Sequence, residues 1–519
     1  MRLAWLKALK QADGRPFLDG GLSRYGYLQN PASGAGLPVG FSVASDPEGN
    51  QIVGMTCAAC HTREIAVEGQ NYRIDGGPAI VDFQSFLADL DAAVGAVLKD
   101  PQAFSDFAGA ALGPKAASQD IAALRESVAA WHLSYHALIS RALPEPPWAW
   151  GYGRLDAVSM IFNRLTGLDL GPPPSHLIAD NIKPADAPVR YPFLWNASKQ
   201  DGTQWPGFAD NGGDILALPR NLGEVFGVFG EFEPKKAPSR LFLRYDYLNK
   251  NSANFDGLSK LEDLIKKIGP PRWPWPVDSA LADRGKIIFE TTGDCARCHA
   301  SKPGKVQFPD EHTWATPVED VGSDKRQYQV LKRKAQPGVL QGAQIPMLVK
   351  PLANPSYVVD ILAVSALGSI LQSHAIFKSF RWPSPQGLNG AYASLQHIKN
   401  LSAGLADAKP LYEARVLEGI WAAAPYLHNG SVPTLKDLLK PAAERPPSFK
   451  VGPAYDLETV GLAVEQPAQS STLTTDLGGG AWPSKDCGRD SGNSRCGHEY
   501  GVQLSEEDKK ALLEYLKTL

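Results

Sequence analysis

Two short stretches, "CAACHT" (57–62) and "CARCHA" (295–300), place paired cysteines two residues apart with a histidine immediately after. One chemistry needs that spacing: two thiols add to the two vinyl groups of a porphyrin, and the next residue turns an imidazole under its iron. Cys57, Cys60, Cys295 and Cys298 are then haem attachment points, with His61 and His299 as proximal ligands. Two other readings compete. A redox-active Cys-x-x-Cys wants a βαβ context, which the flanking sequence lacks. A zinc site could pool both motifs, but ribbon-type sites hold their ligands much closer together in sequence. The duplicated histidine favours two covalent haems c.

The remaining cysteines, Cys487 and Cys496, enclose a loop near the end of the chain, "CGRDSGNSRCGHEYG". In the oxidising compartment where haem c is attached they are expected to pair as a disulfide, clamping the loop beside His498. Methionine, a common axial ligand, occurs only four times in the chain and is missing from this loop. His498 is therefore the expected second ligand of the His299 iron. His428, in "APYLHNGSVPTLKDLL", stays open as an alternative ligand or as a group that supports the ligands. No comparable histidine is evident for the first iron, which would leave one face free for a small molecule. Phe193, Trp195, Trp205, Phe208, Phe226 and Phe229 form an aromatic-rich segment. Its first reading is core; its second is a pocket wall over the first haem, with Trp205, Phe226 and Phe229 as catalytic-site candidates.

These residues need elements to hold them. "SALADRGKIIFETTGDCARCH" reads as an amphipathic helix with Leu281, Ile287, Ile288 and Phe289 mostly on one side. "LSEEDKKALLEYLKTL" is a second helix, capped by Ser505 and striped by Leu512, Leu513, Leu516 and Leu519. A helix before the motif and another at the end frame a small cytochrome c domain. Further helices are expected over 76–98 and 118–142. The second of these carries His132 and His136 at i and i+4, read as packing or solvent-facing residues, because no H-E-x-x-H accompanies them. The Pro-rich "GPPRWPWP" (269–276) divides residues 1–275, an N-terminal haem c domain, from 276–519, a C-terminal cytochrome c-like domain with the second haem. The fold expected is mainly α, with two cytochrome c-like haem domains, long irregular loops and little β.

Composition bounds the rest. The 519 residues are 43% hydrophobic and 21% charged, with net charge −3, so nothing favours nucleic acid. No run is apolar enough to span a membrane. Lys7 and Lys10 break any signal-peptide core in "MRLAWLKALKQADG", yet haem attachment implies a periplasmic or secreted protein.

The paired motifs, "GLPVGF" (36–41), "YRIDGGPAIVDFQSFL" (72–87), "APYLHNGSVPTL" (424–435) and "GHEYG" (497–501) together resemble the bacterial di-haem cytochrome c peroxidase superfamily. The resemblance is closest to the rubber oxygenase A-like branch of di-haem dioxygenases and spans nearly the whole chain. It implies a catalytic, oxygen-binding haem on His61 and a bis-histidine haem on His299 and His498. It implies O2 and an unsaturated hydrocarbon or lipid, polyisoprene included, as substrates. An electron-donor protein is an expected partner and a structural calcium ion a further expected cofactor. Peroxidases of the superfamily carry methionine where His498 stands. The alternatives are a peroxidase reducing H2O2, or a pure electron-transfer cytochrome.

Overall fold

The computed structural model describes residues 1–519 except 47, 147, 168–176, 212–213, 241, 308–309, 374–383, 401, 406–408 and 479–486. The expectation of a mainly α chain with little β fails. Helix makes up 39% and strand 16% of the chain, the named strands forming ten two-stranded pairs among the described residues. The cause lies in the 49 glycines and 42 prolines. They cut the chain into segments too short for wide sheets but suited to hairpins.

The hairpin that matters most follows the first motif directly. Strand β1 (Thr62–Val67) pairs antiparallel with β2 (Gln70–Asp75), closed by Glu68 and Gly69, both at positive φ, the geometry of a two-residue primed turn. Ile65 and Val67 point inward and are buried, which fixes the register against a one-residue slip.

Helix α1 (Phe83–Lys99) starts where Asp82 accepts a hydrogen bond from the Ser85 amide, satisfying one free N–H of the first turn. It buries Phe83, Phe86, Leu87, Leu90, Val94 and Val97. Helix α2 (Ser118–Ala142) lies beside it and buries Leu124, Val128, Tyr135 and Leu138. These residues build one core with Trp5, Phe17, Tyr25 and Trp150. A second core joins Phe162 and Phe226 to helix α3 (Val358–Ser373).

The third core draws from distant segments. Ile65, Val67, Phe193 and Trp195 pack with Trp421, Tyr455 and Leu512. Two cytochrome c-like domains are thus not shown; the large buried clusters are three among the described residues. The Pro-rich stretch is docked on the third core, with Trp421 Nε1 donating to Pro271 O at 3.0 Å and Trp273 edge-on to Trp421 at 5.4 Å.

Helix α4 (Ser279–Glu290) precedes the second motif and crosses the terminal helix α5 (Glu506–Thr518). It buries Ala282, Gly285, Ile288 and Phe289; Ile288 and Phe289 face inward as expected, Leu281 is half-buried, and Ile287 is 63% exposed. Ser505 caps α5 by accepting from the Asp508 amide. At the crossing a Cβ on Gly285 would lie 2.0 Å from the Ala511 carbonyl oxygen. Gly285→Ala should therefore lower the unfolding free energy by about 2–3 kcal/mol, checked by denaturant titration of the haem-loaded protein.

Candidate functional site

The second motif sits on a single helical turn, Ala296–His299. His299 Nδ1 lies 2.6 Å from the Arg415 carbonyl oxygen, so Nδ1 carries the proton and Nε2 is left as the ligating atom. The ring of His498 faces it, centroid to centroid 6.0 Å. His498 adopts a left-handed backbone, φ 52°, a strained state for a residue with a Cβ. Its amide donates to Val321 O at 2.7 Å, and Arg445 Nη2 donates to its carbonyl. The disulfide between Cys487 and Cys496 closes the loop two residues before it. Burial keeps both imidazoles neutral, pulling His299 below its usual value and His498 down to about 3. The neutral ring is the ligating form.

The first motif is built differently. Gly40, at φ 86°, brings the "GLPVGF" loop onto Ala59, where a Cβ would lie 2.0 Å from the Ala59 amide. Thr56 N donates to Gly40 O. His61 Nδ1 lies 2.9 Å from Pro192 O, again leaving Nε2 for ligation, and burial lowers its pKa to about 4. Its ring neighbour is Tyr191, edge-on at 6.3 Å.

Arg415 connects the two motifs. Its carbonyl anchors His299, and its positive charge acts on His61. Its guanidinium lies 4.7 Å from the Trp205 ring centre, as does that of Arg190. Trp205 is buried and donates from Nε1 to Arg190 O at 3.1 Å. Glu413, beside Arg415 and bonded by Thr316, is pushed up by burial to about 7.

The other candidates are placed as follows. Phe226 stacks on Phe232 at 4.4 Å inside the second core. Phe229, at φ 69°, packs on Tyr135 at 5.0 Å. His428 is buried, with Nε2 2.7 Å from Asp324 Oδ2 and its ring stacked on Tyr412 at 4.0 Å; these contacts tie it to Asp324.

A cavity of about 120 Å³ is lined mostly by apolar residues, Phe162, Phe208, Leu362 and Leu367 among them, with Gln204, Asp210, Arg220, Glu224 and His397 as its polar groups. Burial raises the Glu224 carboxyl, and its charge acts on the Cys57 and Cys60 thiols. Glu224 and Arg220, both on the cavity wall, are among the charges that act on Cys57. Trp205, Phe226 and Phe229 are not among the residues that line the cavity.

Three observations test the fit of a covalent haem. Two imidazoles on opposite sides of one metal, each nitrogen about 2 Å from it, put their ring centres roughly 6 Å apart, which the His299–His498 pair matches. All four motif cysteines are free thiols, and burial raises Cys60 to about 12 and Cys295 to about 11, the reverse of an activated redox pair. Nor do the motif residues form a three-ligand metal cluster among the described residues, which removes the pooled zinc site. Last, Arg63 Nε and Nη2 and Arg190 Nη1 are buried without a hydrogen-bond partner. Buried guanidinium donors need acceptors, and haem propionates are carboxylates. The residues fit the group.

Sequence reasoning did not find Arg63, Arg190, Arg415, Glu413 or Glu224. Each is a lone charge in the sequence, and no spacing marks it.

Comparison with known proteins gives the same direction. Residues 411–450, which contain Arg415 and His428, match the family described as RoxA-like, cytochrome c-like. The chain is 30% identical over its whole length to the uncharacterized protein y4iJ of Sinorhizobium fredii, covering 89% of that protein. It is 28% identical to the uncharacterized protein y4iM of the same organism, over 53% of this chain and 49% of the relative. The cytochrome c-like segment supports covalent haem c and, with it, a haem-containing oxidoreductase.

Proposed function

The chain belongs to the family of the S. fredii protein y4iJ, and from its RoxA-like, cytochrome c-like segment we propose a di-haem dioxygenase of unsaturated hydrocarbons or lipids. The N-terminal haem c, attached at Cys57 and Cys60 with His61 as proximal ligand, is the catalytic one. The C-terminal haem c, attached at Cys295 and Cys298 between His299 and His498, exchanges electrons. Bound haem supplies the oxygen and electron chemistry; the chain supplies ligands, pocket and dryness.

One observation carries this reading, the asymmetry of the two histidines. His299 is faced by a second imidazole at 6.0 Å, which closes that site to substrates. His61 has Tyr191 as its ring neighbour, and Glu224, on the wall of a mostly apolar cavity, is one of the charges that act on its motif's thiols. The cavity's mostly apolar wall suits an alkene chain, and its polar groups offer points that can orient one. Trp205 is buried between the guanidinium groups of Arg190 and Arg415. The disulfide supports a periplasmic or secreted location. No helix among the described residues is long and apolar enough to cross a membrane.

The deciding measurement is oxygen uptake. The haem-loaded protein should consume O2 when given an unsaturated fatty acid or polyisoprene latex, and product mass should rise by two 18O atoms under labelled O2. Turnover of H2O2 with a reduced donor, without substrate-dependent O2 uptake, would instead establish the peroxidase.

A further inference from the structure

We propose that Asp91, His132 and His136 form a divalent transition-metal site that ties helix α2 to helix α1. The site is independent of the haem reading. His132 and His136 stand one turn apart on α2, so both imidazoles leave the same face of the helix. Helix α1 brings Asp91 up against that face. His136 Nδ1 lies 2.8 Å from Asp91 Oδ2, and His132 Nε2 lies 3.1 Å from Asp91 Oδ1. The two rings are stacked at 5.2 Å, 24° from parallel. One donor atom from each of the three residues falls within 4.8 Å of the others.

A pair of His–Asp hydrogen bonds explains this arrangement only in part. His132 Nε2 also lies 3.2 Å from the backbone carbonyl oxygen of Asp91. A single N–H cannot serve both oxygens, and Asp91 Oδ1 is buried with no hydrogen-bond partner. A buried carboxylate oxygen left that way is costly. A cation among the three groups satisfies Oδ1 and accepts both imidazole lone pairs.

Two imidazoles and one carboxylate favour zinc among the available divalent ions, at distances of about 2 Å. Small movements of these side chains would reach that geometry. Asp91 and His132 are largely shielded, with side chains 14% and 17% exposed, whereas His136 is 54% exposed. A fourth position therefore opens to solvent on the His136 side, where water completes the tetrahedron. The expected consequence is mechanical: α2 is pinned to α1, the helix that follows the hairpin after the first motif.

The test uses haem-loaded full-length protein, stripped with EDTA and titrated calorimetrically with zinc chloride. Elemental analysis counts zinc and haem iron separately. The wild type should take up one zinc per chain, unfold at a higher temperature with zinc than without, and keep its iron. Because His136 is half-exposed, His136→Ala should fold normally; it should weaken zinc binding by more than about 100-fold, since losing even an outer-sphere partner costs 10- to 100-fold. Asp91→Asn should act in the same direction. Equal zinc stoichiometry and affinity in wild type and both variants would overturn the site, as would a wild type that binds no zinc at micromolar concentration.

Discussion

Substituting His498 by alanine should abolish one low-spin ferric signal in electron paramagnetic resonance, and the reduced variant should bind CO at an iron that excludes it in the wild type. The basis is geometric. The His498 ring stands opposite His299 at 6.0 Å, and its strained backbone is held by Val321, Arg445 and the neighbouring disulfide. Such strain persists where the surrounding structure overrides it, so the loop holds the imidazole at this position. His428→Ala provides the contrast. His428 is tied to Asp324 and Tyr412, and its loss should leave the low-spin signal in place while lowering stability. A low-spin signal that survives His498→Ala and disappears in His428→Ala would reverse the assignment.

The second large effect concerns the first motif. Replacing both Cys57 and Cys60 by alanine should halve the covalent haem measured as the pyridine haemochrome, from two per chain to one. Substrate-dependent oxygen uptake should fall to the level without enzyme, while the His299–His498 signal stays. The asymmetry is the point of the measurement: the matching double substitution at Cys295 and Cys298 should remove the low-spin signal instead. If oxygen uptake survived loss of the first haem, the catalytic role would not belong to His61.

The motifs were legible because covalent attachment dictates their spacing, whatever the surrounding fold. The terminal helix was legible because Ser505, Asp508 and its leucines are local signals that agree with one another. The hairpin after His61 was missed although "TREIAVEGQNYRID" contains a turn pair. Arg63 occupies an inward position, and a charged residue there masks the alternation. Its burial makes sense only once the Ala424 carbonyl, which it bonds, is brought alongside. The aromatic segment failed for a related reason. Trp205, Phe226 and Phe229 look alike in sequence, yet one lies between two arginines, one stacks in a core and one packs on Tyr135. Tertiary context alone separates them. His132 and His136 were visible as a pair, but their carboxylate partner is 41 residues upstream, beyond any local pattern.

The surroundings of the first motif also bear on how the protein is made. Arg63 bonds a carbonyl 361 residues later, the Ala66 amide bonds Pro453 O, and Ile65 and Val67 share a core with Trp421 and Leu512. Contacts so distant in sequence cannot form until the last hundred residues have emerged, and closing such loops is slow. During that interval Cys57 and Cys60 lie on an incompletely folded chain. Haem attachment at these thiols can therefore precede completion of the core that the following hairpin shares with the C-terminal segment.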